Sequence, residues 1–241
     1  MTLEATAKFI KAKMKDWKES NINLMKESII TLKSMTECDR IPKRAVHTFS
    51  PFLCDKIGDI KMTAMVKEVL LSLADFVTPK FIANFLIKNG STTKAVKNIE
   101  ETCIILTQMV DEYGAGMMPI KECIDFATLA ANNANVKVRN ASMTLFAMLY
   151  KHLGETVRNF LSDIKDSTMK LIEAEFAKTT PLQKGEFVSK REVKGDAAEE
   201  LAAGGGAGAS LEDSLPREDI SKLLNSKLLA LFKDKDWKKR K

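Results

Sequence analysis

Residues 119–154 read PIKECIDFATLAANNANVKVRNASMTLFAMLYKHLG. Pro119 opens a helix, as proline does at a first helical position, where its missing N–H is not needed. The turn Asn132-Asn133-Ala134-Asn135 stops that helix, and a longer one follows from Val136. One unit of this chain is therefore helix, short turn, helix.

Outward from this unit the order repeats. Residues 2–15, TLEATAKFIKAKMK, space Ala5, Phe9, Ile10 and Met14 helically. The turn at Trp17 precedes a helix carrying Ile22, Met25, Ile29, Ile30 and Leu32, with Ser20 or Asn21 as its N-cap. Pro42 opens KRAVHTFSPFLCDKIG, and Gly58-Asp59-Ile60 turns into KMTAMVKEVLLSLADFV. Thr78-Pro79 starts KFIANFLIKN, which Gly90-Ser91-Thr92 is expected to break before TKAVKNIEETCIILTQMVDEYG. ETVRNFLSDI and STMKLIEAEFAK read as the helices that close this region.

No stretch alternates convincingly as a strand would. The second helix of each pair begins near Lys18, Lys61, Lys94 and Lys137, at intervals of 43, 33 and 43 residues. HEAT and armadillo repeats recur every 40–47 residues or so, and the middle unit here is short. Each hairpin is apolar on a face that it cannot bury alone. The expectation is an all-α, HEAT-repeat α-solenoid over residues 1–178, built by stacking hairpins. A compact helical bundle is the alternative, and the regular spacing of the turns argues against it.

Residues 179–214 differ. They hold six of the eleven glycines, the acidic stretch GDAAEE and the run GGGAGAS. Such a segment has few apolar groups to offset chain entropy and reads as a flexible linker. Order is expected to return at Ser214-Leu215-Pro216. There Ile220, Leu223, Leu224, Leu228, Leu229 and Phe232 share a helical face, over residues 215–241. The sequence stops at Lys241, inside what reads as a further helix, so a segment of a longer array is expected.

The net charge is +6, with an acidic middle between two basic flanks, which favours an anionic partner. Cys38, Cys54, Cys103 and Cys123 form no CxxC pair and no metal spacing. They read as reduced structural thiols, with neither metal nor cofactor expected. No Gly-rich phosphate loop, GxSxG or His-Asp-Ser pattern is present, so catalysis is not expected. His47 and His152 fall on helices outside any such pattern, and Glu100-Glu101 reads as a solvated helix face. No apolar run is long enough to span a membrane. Acids interleaved with the lysines argue against nucleic acid.

The turns carry the remaining signal. Four of them fall on successive hairpins and should line one edge: Asp16-Trp17-Lys18, Asp59-Ile60-Lys61, Ser91-Thr92-Thr93-Lys94 and Asn135-Val136-Lys137-Val138-Arg139. A lysine at a helix N-terminus gains nothing from the helix dipole. Four placed alike make a basic line suited to an acidic surface, although lysine is also common at exposed turns. Arg139 either joins that line or pairs internally with a neighbouring acid. Trp17 either packs the junction between hairpins or projects as an aromatic anchor.

Several stretches carry a family likeness: KDWKESNINLM, LCDKIGDIK, NVKVRNASMTLFAMLYKHLG, FLSDIKDSTMKLIEAEFAK and SLPREDISKLLNSKLLALFKDKDWKKRK. Together they resemble the TOG-array microtubule polymerases, the family of mini spindles and its plant and animal relatives. By that resemblance residues 1–178 correspond to a third TOG domain lacking its first HEAT repeat. Residues 215–241 correspond to the first repeat of the next domain.

The resemblance implies a cytoplasmic, microtubule-associated segment at spindles, centrosomes and cortical arrays. It would have no nucleotide site of its own and would bind αβ-tubulin through the turns within each repeat, beside adjacent TOG domains, at microtubule plus ends. The implied contact residues are Trp17, Lys18, Lys61, Lys94 and Lys137, with Trp237 and Lys238 in the following domain. The family's main tryptophan anchor belongs to a domain's first turn, which here is the position of Trp237. A HEAT scaffold for a different protein partner is the competing reading.

Overall fold

The computed structural model describes residues 3–36, 41–161, 164–183, 185–195 and 198. Nine α-helices and no strand occur among the described residues. They are α1 (Leu3–Lys13), α2 (Ile22–Met35), α3 (Lys43–Lys56), α4 (Thr63–Val77), α5 (Pro79–Thr92), α6 (Val96–Tyr113), α7 (Ile120–Ala131), α8 (Val136–Leu153) and α9 (Asp166–Phe176). Helices α1/α2, α3/α4, α5/α6 and α7/α8 form successive hairpins.

First helices stack on first helices, α1 on α3, α3 on α5 and α5 on α7. Second helices do the same, α2 on α4, α4 on α6 and α6 on α8. The product is a two-layer solenoid, as the turn spacing predicts. Between the layers lie Phe49, Phe52, Leu70, Leu73, Ile82, Leu86, Leu106, Phe126, Phe146 and Leu149, all essentially inaccessible to water. Their burial is the main favourable term holding the hairpins together.

Local chemistry sets the helix ends. The Asn21 side chain accepts from the Asn23 and Leu24 amides and caps α2. Thr78, at φ +86°, accepts from the Phe81 amide, and Pro79 follows at the first position of α5. Thr78 is thus the whole connection between α4 and α5.

Two helix boundaries differ from the sequence expectation. Gly90-Ser91-Thr92 does not break α5, which runs through to Thr92. Gly90 is there for close packing: a Cβ on it would lie 2.8 Å from the Phe126 ring of α7. The stretch read as a helix after Gly154 is a 3-10 segment, Gly154–Phe160.

Glu101 also departs from the expectation of a solvated helix face. It is buried, and its carboxylate bridges Lys67 of α4 and Lys97 of its own helix, the latter at 2.8 Å. Burial alone would raise the affinity of this carboxyl for a proton. Hydrogen bonds from Lys67 and Lys97 outweigh that and hold it below the ordinary carboxylate range.

The first part of the segment expected to be free linker is docked. Residues 179–183 and 185–195 run back over the C-terminal ends of α8, α6 and α4 as a strap. The Leu182 amide donates to Lys151 O at 2.8 Å, the Lys190 amide to Glu112 O at 2.8 Å, and the Lys194 amide to Asp75 O. Arg191 grips buried Asp75 with Nε at 3.0 Å and Nη2 at 2.8 Å, while the Tyr113 hydroxyl donates to the same carboxylate at 2.6 Å. The Phe187 ring meets His152 edge-on at 4.8 Å and covers Gly114, whose φ of +85° and lack of a side chain both suit the contact. Composition misleads here because cations and backbone amides, with the single ring of Phe187, hold the strap. The cations sit at helix C-termini, where the helix dipole and acidic side chains favour positive charge.

Two stability predictions follow from these contacts. A Cβ at Gly58 would lie 2.7 Å from the Asn98 backbone nitrogen, where the α3–α4 turn meets α6. Gly58→Ala is therefore expected to cost about 1–3 kcal/mol in urea unfolding, with the slope unchanged. The depressed Glu101 carboxyl contributes stability above the unfolded carboxyl's range, and that contribution is lost as pH falls through its folded value. Glu101→Gln should lower the melting temperature at pH 7, and the gap from the parent should close below roughly pH 4.

Candidate functional site

The hairpin topology places the turns α1–α2, α3–α4, α5–α6 and α7–α8 at one edge, beside the N-termini of the second helices. The strap occupies the opposite edge.

The first turn is strained and heavily braced. Lys15, Asp16 and Trp17 all have positive φ, 50°, 54° and 68°. Such backbone is uncommon for residues with side chains and persists only where its surroundings hold it. Here the Asp16 amide donates to Lys11 O and the Glu19 amide to Met14 O. The Trp17 ring stacks on Phe52 of α3, centroids 4.7 Å apart and planes at 14°, and its Nε1–H donates to Thr48 O at 3.2 Å. Of the two readings of Trp17, the packing role is the one its contacts display. Lys18 follows directly and is exposed.

The other turns are held by their own side chains. Asp59 accepts from the Lys61 amide at 3.0 Å, and its carbonyl accepts from Met62, Thr63 and the Thr63 hydroxyl. The Thr93 hydroxyl accepts from the Ala95 amide at 3.1 Å. Asn133 accepts from the Asn135 amide, and Asn135 accepts from the Lys137 amide at 2.8 Å, capping α8. Arg139 is structural, though not through an acid. Its Nη1 donates to the carbonyls of Asn133 and Ala134 at 2.9 and 2.6 Å and closes the turn from below.

These braces leave Lys18, Lys61, Lys94 and Lys137 exposed, with no ion pair from any of the four among the described residues. Beside three of them stand exposed apolar side chains that the sequence reading did not single out: Ile60 at 86%, Val136 at 56% and Val96 at 40%. The available signal was an aliphatic β-branched residue within two positions of Lys61, Lys94 and Lys137. Unpaired cations interleaved with exposed aliphatic groups suit an acidic protein surface that also offers apolar contact. Trp237 and Lys238 lie outside the described residues.

Elsewhere the polar groups have structural duties. Cys54, Cys103 and Cys123 are buried free thiols, and burial pushes Cys54 and Cys103 up to about 12, so none is a ready nucleophile. Burial lowers the affinity of His152 for a proton beneath Phe187. A cavity of about 450 Å³ opens on the α1–α3–α5 face beside His47, lined also by Glu4, Lys43, Arg44, Thr48 and Phe81. No described helix is long and apolar enough to cross a membrane.

A stack of antiparallel helix pairs, with the turns within the pairs on one edge, defines an α-solenoid of the HEAT class. A family model described as XMAP215/Dis1/CLASP, TOG domain, matches residues 4–176, and the chain belongs to that family. Protein MOR1 of Arabidopsis thaliana is 30% identical over 227 residues, covering 93% of this chain and 11% of that protein. The solved structure of Drosophila melanogaster Mini spindles TOG3 superposes with a TM-score of 0.70 at 18% identity, covering 79% of this chain and 83% of that one. A structure described as tubulin recruitment and assembly by microtubule polymerases with TOG domain arrays gives a TM-score of 0.64 at 16% identity. It covers 99% of this chain and 50% of that one. The chain spans about a tenth of the length of the curated relatives it matches.

The braced turn makes a direct prediction. Trp17→Ala removes the stack on Phe52 and the bond to Thr48 at a half-buried site. It is expected to cost about 2–3 kcal/mol in chemical denaturation. Trp17→Phe should recover part of that loss, since it keeps the ring contact and loses the N–H.

Proposed function

We propose that this chain is a non-catalytic, tubulin-binding segment of a longer TOG-array protein. It would use the edge formed by its intra-hairpin turns. The observation that carries this reading is the row of four exposed lysines, without ion pairs among the described residues, with Ile60, Val96 and Val136 beside three of them. Lys18, Lys61, Lys94 and Lys137 would meet carboxylates on αβ-tubulin, and the aliphatic groups would fill the dry centre of each contact. Trp17 would serve chiefly by holding Lys18 at the edge.

The similarity to a solved array described as recruiting tubulin supports the choice of partner. The cellular setting would be that of such relatives: microtubule plus ends, spindles and cortical arrays in the cytoplasm. In the proposed domain plan residues 1–178 form one TOG domain and residues 215–241 open the next, with Trp237 and Lys238 at that domain's first turn. The linker between them would begin functionally after the strap rather than at residue 179.

The test is size-exclusion co-elution with unpolymerised αβ-tubulin at low and moderate salt. Co-elution is expected at low salt and should weaken as salt rises. The double reversal Lys61→Glu with Lys137→Glu should reduce affinity by about tenfold or more, with helical content by circular dichroism unchanged. Equal co-elution of parent and double variant would rule out this edge as the interface.

A further inference from the structure

The grip of the strap is concentrated at residues 189–191. The Ser189 hydroxyl lies between two carbonyl oxygens, Glu112 O at 3.1 Å and Arg191 O at 2.6 Å. The Lys190 amide donates to that same Glu112 carbonyl. The Lys190 ammonium pairs with Asp111, which Lys151 also approaches at 3.7 Å. Arg191 holds Asp75 through two nitrogens and reaches Glu112 Oε2 at 3.5 Å. One small hydroxyl therefore sits between two carbonyl oxygens, next in the chain to the two cations that pair with Asp111, Asp75 and Glu112. It is nonetheless exposed, as are Val188 and Lys190 on either side.

We propose that Ser189 is a phosphorylation site and that its phosphate undocks the strap. In the transfer, the Ser189 Oγ forms a bond to the γ-phosphorus of a nucleoside triphosphate. The bond from that phosphorus to the β–γ bridging oxygen breaks, and the nucleoside diphosphate leaves. The hydroxyl proton passes to a base on the transferring kinase.

The product carries a charge of roughly −1.5 to −2 and has acceptor oxygens where the site demands a donor. Three effects then act in one direction. The hydrogen bond to Glu112 O is lost. The new charge enters a segment whose neighbouring residues dock on the acids Asp75, Asp111 and Glu112. Lys190 and Arg191, the adjoining residues, gain a dianion that competes with Asp111 and Asp75 for them.

Undocking changes where the chain leaves the body. With the strap docked, residue 195 emerges beside the end of α4. With it free, the chain departs at the end of α9, and residues 180–194 become a tether with a mean reach of roughly 20 Å. Modification at one serine would thus reset the position of whatever follows, independently of what the turn edge binds.

The test uses the 241-residue chain carrying phosphoserine at 189, the unmodified chain and Ser189→Ala, compared by amide hydrogen exchange. Phosphoserine is expected to speed exchange at Leu182, Lys190 and Lys194 by at least about tenfold, with amides in the α6 and α8 interiors unchanged. Phosphatase treatment should restore the slow rates. Ser189→Ala, which loses one hydrogen bond and adds no charge, should stay docked, with a smaller change centred on Lys190. Unaltered protection at the three amides in the phosphorylated chain would overturn the proposal. A second measurement offers the folded chain and the free peptide 183–194 to a kinase that selects basic residues after the acceptor, with ATP. Phosphate on Ser189 in both supports the assignment, and phosphate on the peptide alone overturns it.

Discussion

Each helical hairpin in this chain carries apolar surface on faces that its own two helices cannot cover. Stacking in register buries those faces. It sets first helices against first helices and second against second, from α1/α2 to α7/α8. Everything else about the molecule depends on that register. It brings turns from residues more than a hundred positions apart to one edge and gathers the C-termini of the second helices at the other. Close contacts such as Gly90 on Phe126 and Gly58 on Asn98 leave little room for a different offset.

The two edges have opposite electrostatic fates. At the C-terminal edge, helix dipoles and the acids Asp75, Asp111 and Glu112 would attract any cation nearby. The chain supplies its own in Lys190 and Arg191, so that edge is already occupied. At the N-terminal edge the dipoles disfavour cations, yet Lys18, Lys61, Lys94 and Lys137 stand there without ion-pair partners among the described residues. The structure spends its asparagines, Asp59 and Arg139 on holding those turns still, not on neutralising the lysines. An edge kept both rigid and unpaired is suited to an external anionic surface.

Much of this was legible in the sequence, for identifiable reasons. Proline, asparagine and glycine mark nearly every helix end, so the order of hairpins and the positions of the four turns could be read directly. The misreadings share a cause, which is contact between residues far apart in the chain. Gly90 looks like a helix breaker until Phe126 of α7 is placed against it. Glu101 looks solvated until Lys67 of α4 arrives beside it. Trp17 stays ambiguous until Phe52 is stacked beneath it. The strap looks like linker because its composition is polar, and its partners are acids at the ends of two different helices, α4 and α6, with a carbonyl and a histidine at the end of α8. The exposed Ile60, Val96 and Val136 were unremarkable in sequence because burial, not residue type, distinguishes them from the core.

The central claim is that the four turns act as one interface. Amide hydrogen exchange of this chain with and without αβ-tubulin tests it most directly. The account predicts slowed exchange around residues 15–20, 58–62, 93–97 and 133–138 together, with the strap edge unchanged. Protection confined to the strap edge, or to a single turn, would contradict it.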